Sequence, residues 1–568
     1  MSHKFAIFAL ILTCTLLAGA PVHAVDTQLP SMGSSAGAIA SPEEQRQYGF
    51  YVLHELRNQS QVLDDALLND YINTLGYRLV SDSPRPDQPF TFFVVRDPSI
   101  NAFALPGGFV GVNAGLITTT SNESELAAVL AHEISHVTQQ HLVRAVEAEQ
   151  KYAPLMILAM VGAIAASAHQ SPYSTSNSGI GAIAAAEGLA AQMQINFTRA
   201  DESEADRVGI QTLAKANFDP DAMAEFFSRM QRALRPGFDE TDVPALLMDH
   251  PVTTARISEA KARAETVKKE EKQRQAMPVS DTATNSAVSS LLLLPSLKPA
   301  ANVTPATSAE ERERQRVRSE SYYELMRERT RVLASDRPTQ TLAYYADNLR
   351  DNAAFDAVPN RYGYALALVH AGDAKKSRDV AQKLAATQPD NLAFQLALGR
   401  AELMSGARDA ALQRFIHLEG DFPDNRALVL AHSEALVQID DKTSAKRAQE
   451  LLRPQLAHAD EDPDLQVAFA RASELAGEPV RAGEAHAAAA YLNGRAEDAL
   501  NQLKLLTKRN DLDYYQRTRI EARIAEMTPA VLELRRRKIK PSDQGKFSQC
   551  GSSACVHLSS PRNNSPLQ

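Results

Sequence analysis

The residues with the clearest chemical potential are His132, Glu133 and His136, which form the pattern H-E-x-x-H. Two histidines four positions apart lie on one face of an α-helix, so both imidazoles can reach the same metal ion. Glu133 follows the first histidine and can project beside the metal, where a general base for a water molecule is needed. The pattern therefore predicts a zinc hydrolase site. The alternative is a solvent-facing helix whose two histidines bind nothing.

The residues around this motif predict a helix. Asn122 precedes it, and Glu125 follows three residues later, which resembles a capping box with acidic residues in the first turn. Apolar residues recur at helical spacing, at Leu126, Val129, Leu130, Ile134 and Val137. These signals predict a helix from about Glu123 past Gln140, with both histidines on one face.

A third metal ligand must come from elsewhere, because catalytic zinc takes three protein ligands and keeps one position open. Glu202 and Asp206 are four residues apart and share one face of a predicted helix, while Glu204 points elsewhere. Glu202 can ligate zinc while Asp206 accepts a hydrogen bond from a ligand histidine and fixes its tautomer. The alternative is an acidic first helical turn, which the helix dipole favours without any metal.

These motifs together resemble peptidase family M48. The resemblance rests on H-E-x-x-H followed by E-x-x-x-D in the context T-R-x-x-E-x-x-A-D. It also rests on residues 101–108 and on Asp249-His250-Pro251 followed by Arg256. It runs from about Ser41 to Glu265, and the repeats of the second half resemble the periplasmic members that add a C-terminal TPR domain.

The resemblance implies a zinc metalloendopeptidase with one Zn²⁺ per chain. Carried over residue by residue, the family pattern implies that His132, His136 and Glu202 hold the zinc ion. It implies that Glu133 is the base and that Asp206 supports a ligand from behind. A purely structural zinc site is a weaker alternative, since such a site takes four ligands and needs no base.

His250 lies before Pro251 in a predicted loop, where three roles are open. As a fourth zinc ligand, His250 would act as a removable plug that keeps the enzyme latent. Alternatively, His250 or Arg256 stabilises the oxyanion of the tetrahedral intermediate. The third alternative is an exposed histidine without a role.

A small β-sheet is predicted before the zinc helix. Residues 90–95 are β-branched and aromatic, and residues 102–112 predict further strands around the turn Pro106-Gly107-Gly108. The strand that includes Asn101, Ala102 and Phe103 can pair with an extended substrate by strand addition. The expected fold of residues 41–275 is therefore α+β and mainly helical, a zincin-like metalloprotease domain.

The second half of the chain repeats with a period of 34 residues. Gly372, Gly406 and Asp440 recur at that interval, as do Pro389 and Pro423. This is the period of TPR helix-turn-helix units. An unrelated Ala-rich helical bundle is the alternative, and the regular period argues against it.

We therefore expect an all-α TPR solenoid over residues 309–535, after a flexible linker at 276–308 that is rich in Ser, Thr, Ala and Pro. TPR arrays form concave surfaces that usually bind proteins, which is an analogy at the level of the fold. Between the two zinc segments, residues 153–193 are mostly apolar. They are expected to form a mobile lid or membrane-facing surface, or else a buried helical hairpin.

The ends of the chain carry targeting and cysteine signals. Residues 1–24 form a predicted secretory signal peptide, with Lys4 before an apolar stretch and cleavage after Ala24. Cys14 is a poor lipid-attachment site, because Thr13 precedes it. Cys550 and Cys555 remain in the tail 536–568, where a local disulfide is expected in an exported protein, with two free thiols as the alternative.

The composition limits the function classes. The formal net charge is −9, and an acidic chain argues against nucleic acid as a partner. The resemblance implies a periplasmic endopeptidase that acts on misfolded or stalled outer-membrane proteins and contacts their assembly machinery through the TPR surface. Peripheral membrane contact is also expected. The competing hypothesis is a periplasmic chaperone or scaffold whose metal site is latent or rarely active.

Overall fold

A computed structural model describes residues 41–147, 199–233, 246, 250–276, 309–459 and 461–536. Several predicted features lie outside the described residues, namely the signal peptide 1–24, the apolar segment 153–193, most of the linker 276–308 and the Cys550–Cys555 pair. The described chain is α+β and mainly helical, with one small sheet near the start and helices alone after residue 309. The predicted fold class is confirmed.

The first part of the chain combines helices with a three-stranded sheet. Its described elements are α1 (Pro42–Asn58), α2 (Ala66–Ser81), β1 (Thr91–Val95), β2 (Ala102–Leu105), β3 (Phe109–Asn113), α3 (Ala114–Thr119), α4 (Glu123–Thr138), α5 (141–147), α6 (199–215), α7 (Ala222–Ala233) and α8 (Thr254–Ala276).

The cap of α4 differs in part from the predicted capping box. The Asn122 side chain accepts a hydrogen bond from the Glu125 backbone N–H, as expected. The Glu125 carboxylate, however, accepts from the Ser121 N–H at 2.6 Å and pairs with Arg229. The helix also ends earlier than predicted, at Thr138, because the residue two positions later adopts a left-handed φ of 58°.

The sheet has the strand order β1-β3-β2, with β1 parallel and β2 antiparallel to β3. Gly107 and Gly108 form the β2–β3 turn with φ of 81° and 86°, a left-handed conformation that favours glycine. Among the described residues β3 is the only strand paired with β2, so β2 is an edge strand. The predicted strands and turn are confirmed.

The second part is a solenoid of successive helices. It contains α9 (Ala309–Leu333), α10 (Pro338–Asp351), α11 (Val358–His370), α12 (Ala374–Thr387), α13 (Leu392–Met404), α14 (Arg408–Asp421), α15 (Arg426–Val437), α16 (Lys442–His458), α17 (Pro463–Leu475), α18 (Pro479–Leu492), α19 (Ala496–Leu506) and α20 (Tyr514–Arg536).

The 34-residue period corresponds to the turns between these helices. Gly372, Gly406 and Asp440 all have positive φ, at 90°, 87° and 61°, and each lies two or three residues after the end of a helix. Gly399 lets neighbouring helices approach, because a Cβ there would lie 2.5 Å from the Phe415 ring. The repeat in the sequence therefore marks equivalent turns of the solenoid.

The two parts share one hydrophobic core. Helix α9 packs against α2, α3 and α4, and a single buried cluster extends from Leu63 to Ala435. Arg329 of α9 donates two hydrogen bonds to Asp65, which caps α2. The region after the linker thus helps to hold the helices around the H-E-x-x-H motif. None of the helices in the described ranges has the length and apolar character needed to cross a membrane.

Candidate metal centre

Four predicted site residues meet at one point. His132 and His136 project from α4, Glu202 projects from α6, and His250 lies just before α8. The His132 and His136 Nε2 atoms are 3.0 Å apart. The Glu202 carboxylate lies 3.4 Å from His132 Nε2 and 3.5 Å from His136 Nε2. His250 Nδ1 lies 2.8 Å from Glu202 Oε1 and 3.4 Å from His132 Nε2.

This donor set fits a zinc ion. Zinc bonds of about 2.0–2.2 Å in a tetrahedron place neighbouring ligand atoms roughly 3.3–3.6 Å apart. Most separations between the imidazole and carboxylate donors fall near that range, and all of these atoms lie within 4.8 Å of one another. Imidazole nitrogens with one carboxylate oxygen are also the ligand types that suit zinc.

The close approach of α4 and α6 depends on Gly209. A Cβ at this position would lie 3.3 Å from the His132 backbone nitrogen and from the Ala131 carbonyl carbon, and 3.0 Å from the Met223 side chain. Real Cβ contacts are rarely that short. The missing side chain therefore lets α6 bring its carboxylates against the histidine face of α4.

Asp206 lies behind His132, on the side away from the donor cluster. Its Oδ1 atom is 3.0 Å from His132 Nδ1. Arg256 holds Asp206 from the other side, with Nε donating at 2.9 Å and Nη2 at 2.8 Å. Arg256 Nη1 reaches Glu202 at 2.8 Å and the Pro251 carbonyl at 3.0 Å. The guanidinium group thus fixes both carboxylates of α6 that face this histidine.

The charged groups of this cluster shift one another's pKa values. Burial disfavours a charged His132 ring, but Asp206 and Glu202 raise the pKa of His132 to about 10. The pKa of Glu202 lies far below its ordinary value, since His132 and His250 overcome the opposing effect of burial. Burial and the neighbouring histidines lower the pKa of His136. Metal ligation requires deprotonated imidazoles, so a bound ion would have to displace the proton that the two carboxylates stabilise on His132.

His250 is not an exposed surface histidine, which was the third alternative considered from the sequence. Its side chain is 17% exposed, and its Nε2 atom lies 3.7 Å from Glu133 Oε1. Glu133 is itself buried beside the cluster. Leu246 connects this region to the sheet, because its backbone N–H donates to the Ile100 carbonyl at 3.1 Å. The His250 backbone N–H in turn donates to the Leu246 carbonyl at 2.8 Å.

The candidate substrate strand is held by buried side chains and by backbone pairing with β3. Ala102 is buried, and the Phe103 ring packs over Gly111 and against Phe93 at 5.9 Å. The Asn101 carbonyl accepts from the Asn113 N–H, which extends the pairing of β2 with β3. The side chains of Ala102 and Phe103 thus hold the strand in place.

A second polar cluster lies next to the first, and it was not predicted from the sequence. His141, Asp201 and Glu204 form a group with metal-ligating atoms within 4.8 Å of one another, and Arg144 contacts both carboxylates. Glu204 points away from the metal donors, as predicted, but towards His141 at 3.3 Å. The sequence signal that could have revealed this cluster is His141, a third histidine five residues after His136.

Several known proteins are similar in sequence to this chain. The model of peptidase family M48 matches residues 66–264. The beta-barrel assembly-enhancing protease of Yersinia pestis is 30% identical over 522 residues, which cover 91% of this chain and 96% of that protein. The Escherichia coli K12 protein of the same name is 40% identical over 263 residues, 46% of this chain and 52% of that protein. The mitochondrial metalloendopeptidase OMA1 of Schizosaccharomyces pombe is 31% identical over 163 residues, 29% of this chain and 44% of that protein. The alignments to the latter two thus span about half of those relatives.

Proposed function

Since the chain belongs to peptidase family M48 and is a metalloendopeptidase, we propose that it cleaves protein chains at a zinc site formed by His132, His136 and Glu202. The observation that carries this proposal is the convergence of two imidazole nitrogens and one buried carboxylate at separations of 3.0–3.5 Å. Glu133, buried beside them, is the proposed general base.

The proposed chemistry divides between the ion and the side chains. A bound zinc ion supplies the Lewis acidity that polarises a peptide carbonyl and acidifies a water molecule. Glu133 accepts the proton of the attacking water and returns it to the leaving amine. Asp206 keeps the His132 ring in the tautomer whose Nε2 lone pair faces the donor cluster. Arg256 holds Asp206 and Glu202 in place and so maintains the geometry of both.

We propose that His250 regulates access to this site. Its Nδ1 atom lies among the donor atoms, at 2.8–3.4 Å from Glu202 and His132, as a removable fourth ligand would. Displacement of His250 would open the position that a substrate carbonyl needs. Of the two residues considered for the oxyanion, Arg256 is less suited, because its nitrogens already serve Asp206, Glu202 and the Pro251 carbonyl.

The proposed substrates are extended or unfolded chains. The outer edge of β2, which includes Ala102 and Phe103 and directly follows Asn101, is the proposed site of strand addition. The names of the Yersinia and Escherichia relatives refer to beta-barrel assembly. We therefore propose unfolded outer-membrane proteins as substrates and a periplasmic location, after export by the signal peptide 1–24.

The helical solenoid is the proposed partner-binding surface. The turns that recur every 34 residues support the assignment of these helices as TPR repeats, which bind proteins in many contexts. Outer-membrane assembly machinery is the proposed partner, with peripheral membrane contact as an addition. A local Cys550–Cys555 disulfide would fit this oxidising compartment.

A chaperone or scaffold with a rarely active metal site is the second candidate. The position of His250 within the donor cluster favours it, since a fourth ligand would keep the site latent.

One pair of variants separates the two functions. Glu133→Gln removes the proposed base but keeps a side chain of similar size, so it should retain zinc and lose casein cleavage. Glu123→Gln, also in α4 and buried, is the matched control, and it should cleave casein at the wild-type rate. If Glu133→Gln keeps both zinc and full activity, the peptidase mechanism is wrong.

A further inference from the structure

His136 makes a contact on the side of its ring that faces away from the donor cluster. Its Nδ1 atom lies 2.9 Å from the Nδ1 atom of His141, and the two ring planes are nearly perpendicular at 86°. His141 is 4% exposed. A contact this short between two imidazole nitrogens is a hydrogen bond in which one ring donates and the other accepts.

The donor cluster fixes the direction of this hydrogen bond. His136 faces the other donors with Nε2, so that atom must carry a free lone pair to bind a metal. The ring proton of neutral His136 then resides on Nδ1 and is donated to His141 Nδ1. His141 must accept there, and its own proton therefore resides on Nε2.

The far side of His141 is built to receive that proton. His141 Nε2 lies 3.3 Å from Glu204 and 3.7 Å from Asp201, both of which project from α6. Arg144 donates to both carboxylates, at 2.8 Å to Glu204 and 2.5 Å to Asp201. The chain of contacts thus runs from a ligand histidine through a second histidine to carboxylates held by an arginine.

A shorter chain of contacts, without a second histidine, supports the other ligand histidine. Asp206 contacts His132 Nδ1 at 3.0 Å, and Arg256 holds Asp206 with two hydrogen bonds. Helix α6 supplies carboxylates to both arrangements as well as the candidate ligand Glu202. Each ligand histidine therefore has its own acceptor behind it, and an arginine holds the carboxylates at the end of each chain.

We propose that His141 is the positioning residue for His136, fixing its tautomer and ring orientation for zinc through the Nδ1–Nδ1 hydrogen bond. This inference rests on the proposed zinc site. It assigns to His141, Asp201, Glu204 and Arg144 a supporting role rather than a second metal site. A metal on His141 Nε2 would require that atom to lose its proton, and both carboxylates that would complete such a site already pair with Arg144.

The backbone geometry explains how a residue so close in sequence reaches this position. Helix α4 ends at Thr138, and Gln140 adopts a left-handed φ of 58° before helical residues resume at 141–147. This break turns the chain so that His141 folds back against His136. In an unbroken helix, residues five apart lie about 140° apart around the axis, so they do not face each other.

The test measures zinc affinity in the full mature chain by competition with a chromophoric chelator. His141→Phe removes the acceptor and keeps a ring of similar size, so it should bind zinc about 10- to 100-fold more weakly than wild type. His141→Asn places an amide oxygen near the position of Nδ1, so it should recover most of that loss. His432→Phe is the matched control, because His432 is equally buried and contacts Glu419 in the solenoid, far from this site along the chain.

A spectroscopic readout separates positioning from folding. With Co²⁺ in place of Zn²⁺, His141→Phe should shift the visible absorption bands of the bound ion, and His141→Asn should restore them, while far-UV circular dichroism stays native. If His141→Phe binds zinc like wild type, the inference is wrong and the proposed metal site stands. If the wild-type chain binds no zinc, the proposed function fails and the inference falls with it. If His141→Phe does not fold, then His141→Asn with weakened zinc affinity contradicts the inference, and with near-native affinity supports it.

Discussion

The ion pair between Asp65 and Arg329 should contribute strongly to the stability of the junction between the two parts of the chain. Arg329 Nε and Nη2 donate to the Asp65 carboxylate at 2.7 and 2.6 Å, and Nη1 donates to the Tyr362 hydroxyl at 2.9 Å. Both charged side chains are 16% exposed. Arg329→Met would leave the Asp65 carboxylate buried without its counter-ion.

The expected cost follows from that geometry. Breaking a buried pair by removing one partner destabilises a protein by about 3–5 kcal/mol, because the remaining charge is uncompensated. Although burial opposes ionisation, Arg329 holds the pKa of Asp65 below its ordinary value. The pair therefore stabilises the fold above the unfolded pKa of about 3.9, and this stabilisation is lost as pH falls through the folded pKa. Asp65→Asn combined with Arg329→Met leaves no orphan charge, so it should be destabilised by less than the sum of the single changes.

Urea unfolding at pH 7, followed by far-UV circular dichroism because the chain has no tryptophan, measures these effects. The coupling free energy of the double-mutant cycle should be about 1–3 kcal/mol. Arg350→Met is the control, since Arg350 forms an exposed pair with Asp347 and its loss should leave the unfolding midpoint at the wild-type value. Additive effects of Asp65→Asn and Arg329→Met would refute the reasoning.

Three further predictions concern packing, pH and latency. Gly76→Ala should destabilise the fold by about 1–3 kcal/mol, because its Cβ would lie 2.4 Å from the Phe92 ring; Gly420→Ala, with no atom within 4 Å, should be neutral or stabilising in the same urea assay. Burial raises the pKa of Asp70 to about 7, so its contribution to stability is lost as pH rises towards that value; Asp70→Asn should raise the unfolding midpoint more at pH 8 than at pH 5, and an equal change at both would contradict the shift. His250→Ala should increase casein cleavage if His250 is a plug, whereas decreased cleavage would assign it a catalytic role and unchanged cleavage would leave it without one.

Local signals predicted the elements that carry the candidate site. The H-E-x-x-H spacing, the Asn122 cap and the glycine turn at 107–108 each act over a few residues, so the sequence reveals them directly. The 34-residue period likewise predicted the solenoid, because equivalent turns require equivalent residues with positive φ.

Contacts that depend on the tertiary fold could not be predicted from the sequence. The contact of His141 with His136 depends on a helix break at Gln140, whose side chain carries no strong turn signal. The packing of α9 on the helices around the H-E-x-x-H motif joins residues about 200 positions apart, such as Tyr323 and Thr120, whose hydroxyls lie 2.8 Å apart. Such pairings depend on the tertiary fold, and neither periodicity nor spacing encodes them.

The zinc content of the purified mature chain tests the central claim most directly. Elemental analysis should find one zinc per wild-type chain, and much less in His136→Ala and Glu202→Gln, which each remove one candidate ligand. Both variants should keep native circular dichroism, so that the loss of metal reflects the loss of a ligand. Wild-type levels of zinc in both variants, or none in the wild type after zinc is supplied, would contradict the proposed metal centre.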